Sequence, residues 1–394
     1  MAKLSCLPCK QVYLQLSNAG MEFNRIGAVS RDELMKAKAT RIVSLAFFNR
    51  THRPASPKGS HMTIVDILVA LSGVFLILFT LFDALVTILS LQGGGPGTTF
   101  VTQKIWRILL MLHRRKPRHR LLTICGPALM VLVVVLWYGM LYLGWFLVFN
   151  SVSGSVVNDT TTVFASDLQT LYFTGVTISG LGYGDFTARG FPWTLYATLA
   201  VSTGTLLTSL GLSYIIAVVP VALERKQIAL KLNALAAKPD ELIRQLDSKQ
   251  NVDYVWQYLF SMQSDGTNFS SKYGAYPVVT YFHALRVNSV FSLAYLNSAD
   301  ILFYIANHPD PSMRPAAPAV DALRNIINAH TDNLQHVING GKSAVYVEAA
   351  HGALPGYLES RSESQGYPRQ LYAAQRKQLV IACLYDGWWE KPGR

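Results

Sequence analysis

The chain has 394 residues, 51% of them hydrophobic and 15% charged, with a net charge of +12. Such a length suggests two or three domains, and the balance reads as a membrane part joined to a soluble part. Four cysteines (Cys6, Cys9, Cys125, Cys383) are too few and too scattered for a disulfide framework, and the positive charge, beside long uncharged runs, points to an anionic membrane surface rather than nucleic acid.

Residues 1–62 form a tail with ten basic and three acidic residues before position 62. Three spans with the C-terminal part inside would leave this basic tail outside, so either the tail is non-native, with Met62 as the natural start and Gly59-Ser60-His61-Met62 reading like an expression-vector scar, or the first apolar segment does not cross completely. Cys6-Leu-Pro-Cys9 lacks the second pair or the histidines that a zinc site needs. Three apolar segments then follow, each longer than the roughly 20 residues that cross a bilayer. They are 63–91, with Asp66 and Asp83 near its ends, the uncharged 121–149, and the uncharged 191–223. None resembles a secretory signal.

Orientation follows from lysine and arginine in the loops. The loop 92–120 carries Lys104, Arg107, Arg114, Arg115, Lys116, Arg118 and Arg120 and is expected in the cytoplasm. The loop 150–190 carries Asp159, Asp167 and Asp185 against Arg189 alone and is expected outside. Arg225, Lys226 and Lys231 place 224–394 in the cytoplasm. The dense run from Arg114 to Arg120 is contiguous and broken by Pro117, unlike a voltage sensor, and is expected to hold anionic lipid headgroups. Lys104 to Leu112 reads as a short interfacial helix leading into it. Asp83 is expected to pair with this loop, and Asp66 to reach headgroups.

Between the second and third spans, 166–178 reads as a helix whose start is a capping box of Ser166 and Gln169. The twelve residues 167–178 rise only ~18 Å, so it enters the bilayer without crossing. Its C-terminal end carries partial negative charge, which favours a nearby cation. The stretch that follows, Gly180-Leu181-Gly182-Tyr183-Gly184-Asp185, alternates glycine with larger residues. Irregular backbone at membrane depth persists only where protein buries it or where it lines a water-filled path.

Span, half-helix, glycine-rich strand, span: this order resembles the pore module of the tetrameric potassium channels, over 121–223. The resemblance implies an all-α membrane protein with one extra helix before the pore module and a mostly helical cytoplasmic domain after it. It makes 121–149 the outer helix, 166–178 the pore helix, 179–185 the filter and 191–223 the inner helix. Gly180, Leu181, Gly182, Tyr183 and Gly184 would bind potassium through backbone carbonyls. Carbonyls facing one axis require φ of alternating sign, which glycine allows. Ser179, Asp185, Tyr172, Phe173 and Thr177 would support the filter, with Tyr183 wedged on Tyr172 and Phe173. Gly180 and Leu181 stand where the family carries threonine and valine, so the innermost ion site loses a hydroxyl. Gly204 and Gly211 would be gating hinges, or close-packing glycines. Thr198, Ser202, Thr205 and Ser209 form a stripe that faces a cavity or bonds to its own backbone, and Pro220 is placed to bend the inner helix.

One strand cannot enclose an ion, so the resemblance implies a homotetramer in the cell (inner) membrane, passing K+ with no cofactor and no nucleic-acid partner. The alternatives are a non-selective monovalent cation channel or a subunit of a potassium uptake transporter. No nucleophile–base pair or metal cluster stands out, so the chain is not read as an enzyme. In 224–394, residues 320–337 show helical spacing behind the prolines 309, 311, 315 and 318, which are expected to split the domain. Gly341-Lys342-Ser343 lacks the upstream glycine of a phosphate loop, and 275–290 is similar to cytoplasmic tails of bacterial pore-loop channels. The histidines after 224 are dispersed.

Overall fold

Helices dominate because apolar residues recur at helical spacing for most of the chain. The computed structural model describes residues 63–90, 93–116, 118–247, 251–339, 355–359 and 366–388. The tail 1–62 with its Cys6 and Cys9 pair, and Gly341-Lys342-Ser343, lie outside the described residues.

Among the described residues, three helices are long and apolar enough to cross a membrane: α1 (Ile64–Leu89), α3 (His119–Phe149) and the larger part of α5 (Trp193–Ala236). Many large apolar side chains of α1 are exposed, among them Leu68, Leu71, Phe75, Leu78 and Phe82, as suits a helix bathed in lipid tails. Its contact with α3 runs through small residues. A Cβ on Gly73 would lie 2.6 Å from the Gly144 carbonyl, and one on Gly144 3.0 Å from the Gly73 carbonyl. Small residues let membrane helices approach to this distance.

Between α1 and α3 lies α2 (Pro96–Arg115), longer than the 104–112 helix expected, because proline at its first position and the 98-102-106-110 stripe extend it backward. That stripe, Thr98, Thr102, Trp106 and Leu110, is buried, and Phe100, Ile108 and Met111 are exposed beside the basic residues.

After α3 comes a two-stranded antiparallel ribbon, β1 (Val156–Asn158) on β2 (Phe186–Ala188), with Val156 opposite Ala188 and Asn158 opposite Phe186. This ribbon departs from the all-α expectation; β-branched valines on either side of the Gly154 turn favour it. Between its strands runs the short helix α4 (Asp167–Ile178), packed against α3 and α5.

Helix α5 has 44 residues, or ~66 Å, and runs beyond 223 without interruption, with Pro220 inside it. Its end packs into the C-terminal helices: α6 (Pro239–Asp247), α7 (Val252–Ser261), α8 (Gln263–Ala275), α9 (Phe291–Ala306), α10 (Ala317–Asn339), the single turn α11 (Gly356–Glu359) and α12 (Arg369–Tyr385). Helix α9 is apolar all round and buried along nearly its whole length, as befits the centre of a bundle. Its one carboxylate, Asp300, is paired with Arg376 at 3.1 Å and accepts from Tyr372. Residues from Asp66 onward pack as one unit, and no division falls at the proline cluster. There Asp310 caps a 3-10 turn (Pro311–Met313), and Arg314 donates to the His308 carbonyl at 2.7 Å.

Candidate functional site

Helix α4 begins with the capping box. Ser166 accepts from the Gln169 N–H, and the Gln169 side chain accepts from the Ser166 N–H at 2.8 Å. Its other end closes on a pair of reversed bonds. The Gly180 N–H donates to the Thr177 carbonyl at 3.0 Å and the Leu181 N–H to the Val176 carbonyl at 3.1 Å. This is a Schellman closure with Gly180 in the left-handed region at φ 73°. Gly180 therefore terminates the half-helix as well as opening the glycine segment, a second reason for glycine there.

Gly182 and Gly184 also have positive φ, 57° and 80°, so the segment alternates in backbone hand as the spacing predicts. No atom lies within 4 Å of a Cβ added to any of the three glycines. Leu181 is 58% and Tyr183 68% exposed. The wedge of Tyr183 on Tyr172 and Phe173 does not form within the chain. Tyr172 packs edge-on against Phe186 and bonds to Asp185, and Phe173 is buried edge-on against Phe149. Asp185 is tied down from both sides, because its carbonyl also accepts from the Asp159 N–H at 3.0 Å. Ser179 is the C-cap of α4 and donates to Val176 at 3.0 Å, and Thr177 is buried.

Helix α4 is held by α3 and α5. Tyr142 donates to the Leu171 carbonyl at 2.6 Å, and Trp145 to Thr203 at 2.9 Å. A Cβ on Gly204 would lie 2.0 Å from the Ile178 carbonyl, so glycine at 204 is what lets α5 cross the end of α4. Gly211 faces Val134 less tightly, at 3.1 Å. The α5 helix is continuous through both. Thr198, Ser202, Thr205 and Ser209 lie on one exposed face, and each hydroxyl donates to the carbonyl four residues earlier.

Asp83 overturns an expectation. It is 1% exposed, and among the described residues it meets no basic side chain. Its carboxylate accepts from Gly97 N–H (2.7 Å), Thr98 N–H (3.1 Å), Thr98 Oγ1 (2.6 Å) and Trp137 Nε1 (2.9 Å). It is a cap for α2 supplied by α1, where partial positive charge at a helix start takes the place of a cation. The real N-cap, Gly95, has no side chain to offer, and any Cβ there would lie 2.3 Å from Asp83 Oδ1.

Helix α5 is joined to the C-terminal helices by charge. Arg225 of α5 donates to both carboxylate oxygens of Asp386, each at 2.8 Å, and to the Phe282 carbonyl at 2.5 Å. Ser292 also donates to Asp386. Beside it, His283 donates through Nδ1 to the Asp386 carbonyl at 2.7 Å, because a carbonyl only accepts. Its Nε2 then accepts from His119 Nδ1 at 3.0 Å. Burial first, with the neighbouring His119 and Arg225 adding to it, holds the His283 pKa down at about 4. His113 contacts the Gly387 carbonyl at 3.1 Å, and Trp106 donates to the Tyr385 carbonyl at 3.3 Å. The basic loop and the C-terminal helices therefore share one side. Sequence reading missed Arg225–Asp386 and His119–His283 because 161 and 164 positions separate the partners. No group of three or more metal-binding side chains occurs among the described residues.

The chain is similar to the uncharacterized membrane protein YdjJ of Bacillus subtilis (strain 168), with 22% identity over 332 residues covering 80% of this chain and 93% of the relative. No protein-family model and no solved structure matches.

Proposed function

We propose that this chain is one subunit of a homotetrameric, potassium-conducting membrane channel. The observation that carries the reading is the glycine segment: three positive-φ glycines, alternating with larger residues, uncovered by any side chain of their own chain. Bare backbone of this kind is untenable against hydrocarbon. Three further copies around an axis and a water-filled path between them would cover it. The half-helix then aims its negative end at that path, and Tyr183 packs on a neighbouring subunit. The exposed hydroxyls of Thr198, Ser202, Thr205 and Ser209 would face the same path. The membrane description of the Bacillus relative and the three apolar helices favour the same setting, with the basic loop and the C-terminal helices in the cytoplasm. There Arg114 to Arg120 would meet anionic headgroups. Gly180 in place of a hydroxyl-bearing residue favours a second reading, a channel of broader monovalent-cation selectivity.

The test is the purified full-length chain in planar bilayers, with potassium on one side and sodium on the other. Unitary currents reversing near the potassium potential are expected. Reversal near zero would favour the broader selectivity, and saturable flux without unitary steps would overturn the channel in favour of a transporter subunit.

A further inference from the structure

Three imidazoles meet where the turn between α2 and α3 is seated on the C-terminal part. His113 lies in the last turn of α2, His119 opens α3, and His283 follows a 3-10 turn (Pro277–Tyr281). The His113 and His119 ring centres lie 4.8 Å apart, and those of His119 and His283 5.2 Å. Trp388 stacks on His119 at 4.5 Å, and His113 and His283 are buried. The seat is close: a Cβ on Gly126 would lie 2.8 Å from Phe282, and one on Gly387 2.9 Å from Leu122.

The hydrogen bonds fix the protons. A backbone N–H only donates, so His113 Nδ1 accepts from the Arg118 N–H at 3.0 Å, and its Nε2 donates to the Gly387 carbonyl at 3.1 Å. His283 bridges the Asp386 carbonyl and His119 in the manner already described. The His119–His283 pair can hold one added proton and keep the bond between its rings. A second proton on the pair sets N–H against N–H, and a proton on His113 Nδ1 faces the Arg118 N–H. The seated arrangement therefore refuses two protons that separated rings accept. Among the described residues, the charged groups that bear on His283 are Asp386, His119 and Arg225 of α5, and on His113 it is His119. Arg107 of α2 acts on the neighbouring Tyr281, and Arg114, Arg115, Lys116, Arg118 and Arg120 are exposed along the same turn.

We infer that His113, His119 and His283 form a proton-operated latch between the α2–α3 turn and the C-terminal helices, closed when the rings are neutral and released in mild acid. Asp386 carries the release onward, since its carbonyl holds His283 while its carboxylate holds Arg225 of α5. The latch does not depend on ion conduction. Burial first holds His283 at about 4, against 6.5 for the released ring. Closure is thus complete above pH 6.5 and weakens as the pH falls toward 4. At pH 5.5 this ring alone shifts the balance toward release about tenfold. His113, lowered first by burial and then by His119, shifts it further.

The experiment is hydrogen exchange of the full-length protein in detergent at pH 7.5 and 5.5, each corrected for the intrinsic pH dependence of amide exchange. Protection of residues 113–122 is expected to be at least about tenfold lower at pH 5.5, while that of α4 stays within about twofold. His330→Phe, which removes another buried ring, is expected to keep that fall. His113→Asn combined with His283→Asn, whose amides do not titrate, is expected to abolish it. A parent ratio within twofold, an equal fall in α4, loss of the fall in His330→Phe, or its persistence in the double variant would each overturn the latch. If the double variant fails to fold, the parent and His330→Phe ratios decide.

Discussion

Asp83→Asn tests how α1 and α2 are joined. The carboxylate meets four donors and no cation, so the substitution keeps the shape and removes one acceptor and the charge. With the amide oxygen at the Oδ2 position, Thr98 and Trp137 keep their bonds, and the new NH2 confronts the Gly97 N–H. That leaves one buried donor unsatisfied, roughly 1–3 kcal/mol. Loss of the negative charge at the start of α2 adds about 0.3–2 kcal/mol. The expected destabilisation is about 1–5 kcal/mol, read as the midpoint of unfolding when SDS is titrated into detergent-solubilised protein. Hydrogen exchange of the Gly97 and Thr98 amides is expected to speed up while that of α9 does not. A change under about 0.5 kcal/mol, or uniform loss of protection, would refute the capping role.

Gly95→Ala is expected to match or exceed that loss in the same assay, because its Cβ would lie 2.3 Å from Asp83 Oδ1 and 2.6 Å from the Asp83 carbonyl. Gly204→Ala is expected to lower the same SDS midpoint by at least as much, since its Cβ would lie 2.0 Å from the Ile178 carbonyl; an unchanged midpoint would show that α5 stands off α4. Gly180→Thr forces a β-branched residue to φ 73° and is expected to cost about 1–2 kcal/mol, with Gly180→Asn costing less; equal losses would argue against the Schellman closure. Acid should destabilise the fold through two histidines: burial holds His283 at about 4 and His330 at about 3, against 6.5 when unfolded. Below pH 6.5 the unfolded chain binds protons that the folded one does not, so stability falls between pH 7 and pH 5 by about 2 kcal/mol for each ring. His330→Phe, in a cage of Phe269, Tyr273, Phe291 and Tyr295, is expected to flatten that profile, and an unchanged slope would remove His330 from the account.

Features encoded by neighbours in the chain were legible in advance. The capping box at Ser166 and Gln169 needs only a spacing of three, the three long helices only runs of apolar residues, and the positive-φ glycines only their alternation. What escaped were partnerships made across distance. Asp83 looked like a charge in need of a base, since a carboxylate capping another helix leaves no local mark. Arg225 read as one of a basic group closing a span, although Asp386 lies 161 positions further along, just after α12. His283 read as one of the dispersed histidines for the same reason, and nothing local linked it to His119. The Schellman role of Gly180 was hidden differently: one residue serves two purposes, and the glycine alternation accounted for it first.

The length of α5 has a mechanical consequence. From Gly204, seated under the Ile178 carbonyl, to Arg225, locked to Asp386, the helix spans 21 steps, or ~32 Å. With one end wedged and the other gripped, the intervening shaft behaves as a lever. A swing of only ~10° about the wedge carries the gripped end roughly 5–6 Å over that arm. A shift of the C-terminal helices that displaces Arg225 is thereby passed up α5 toward Gly204, shrinking along the way, without any bend in the shaft itself.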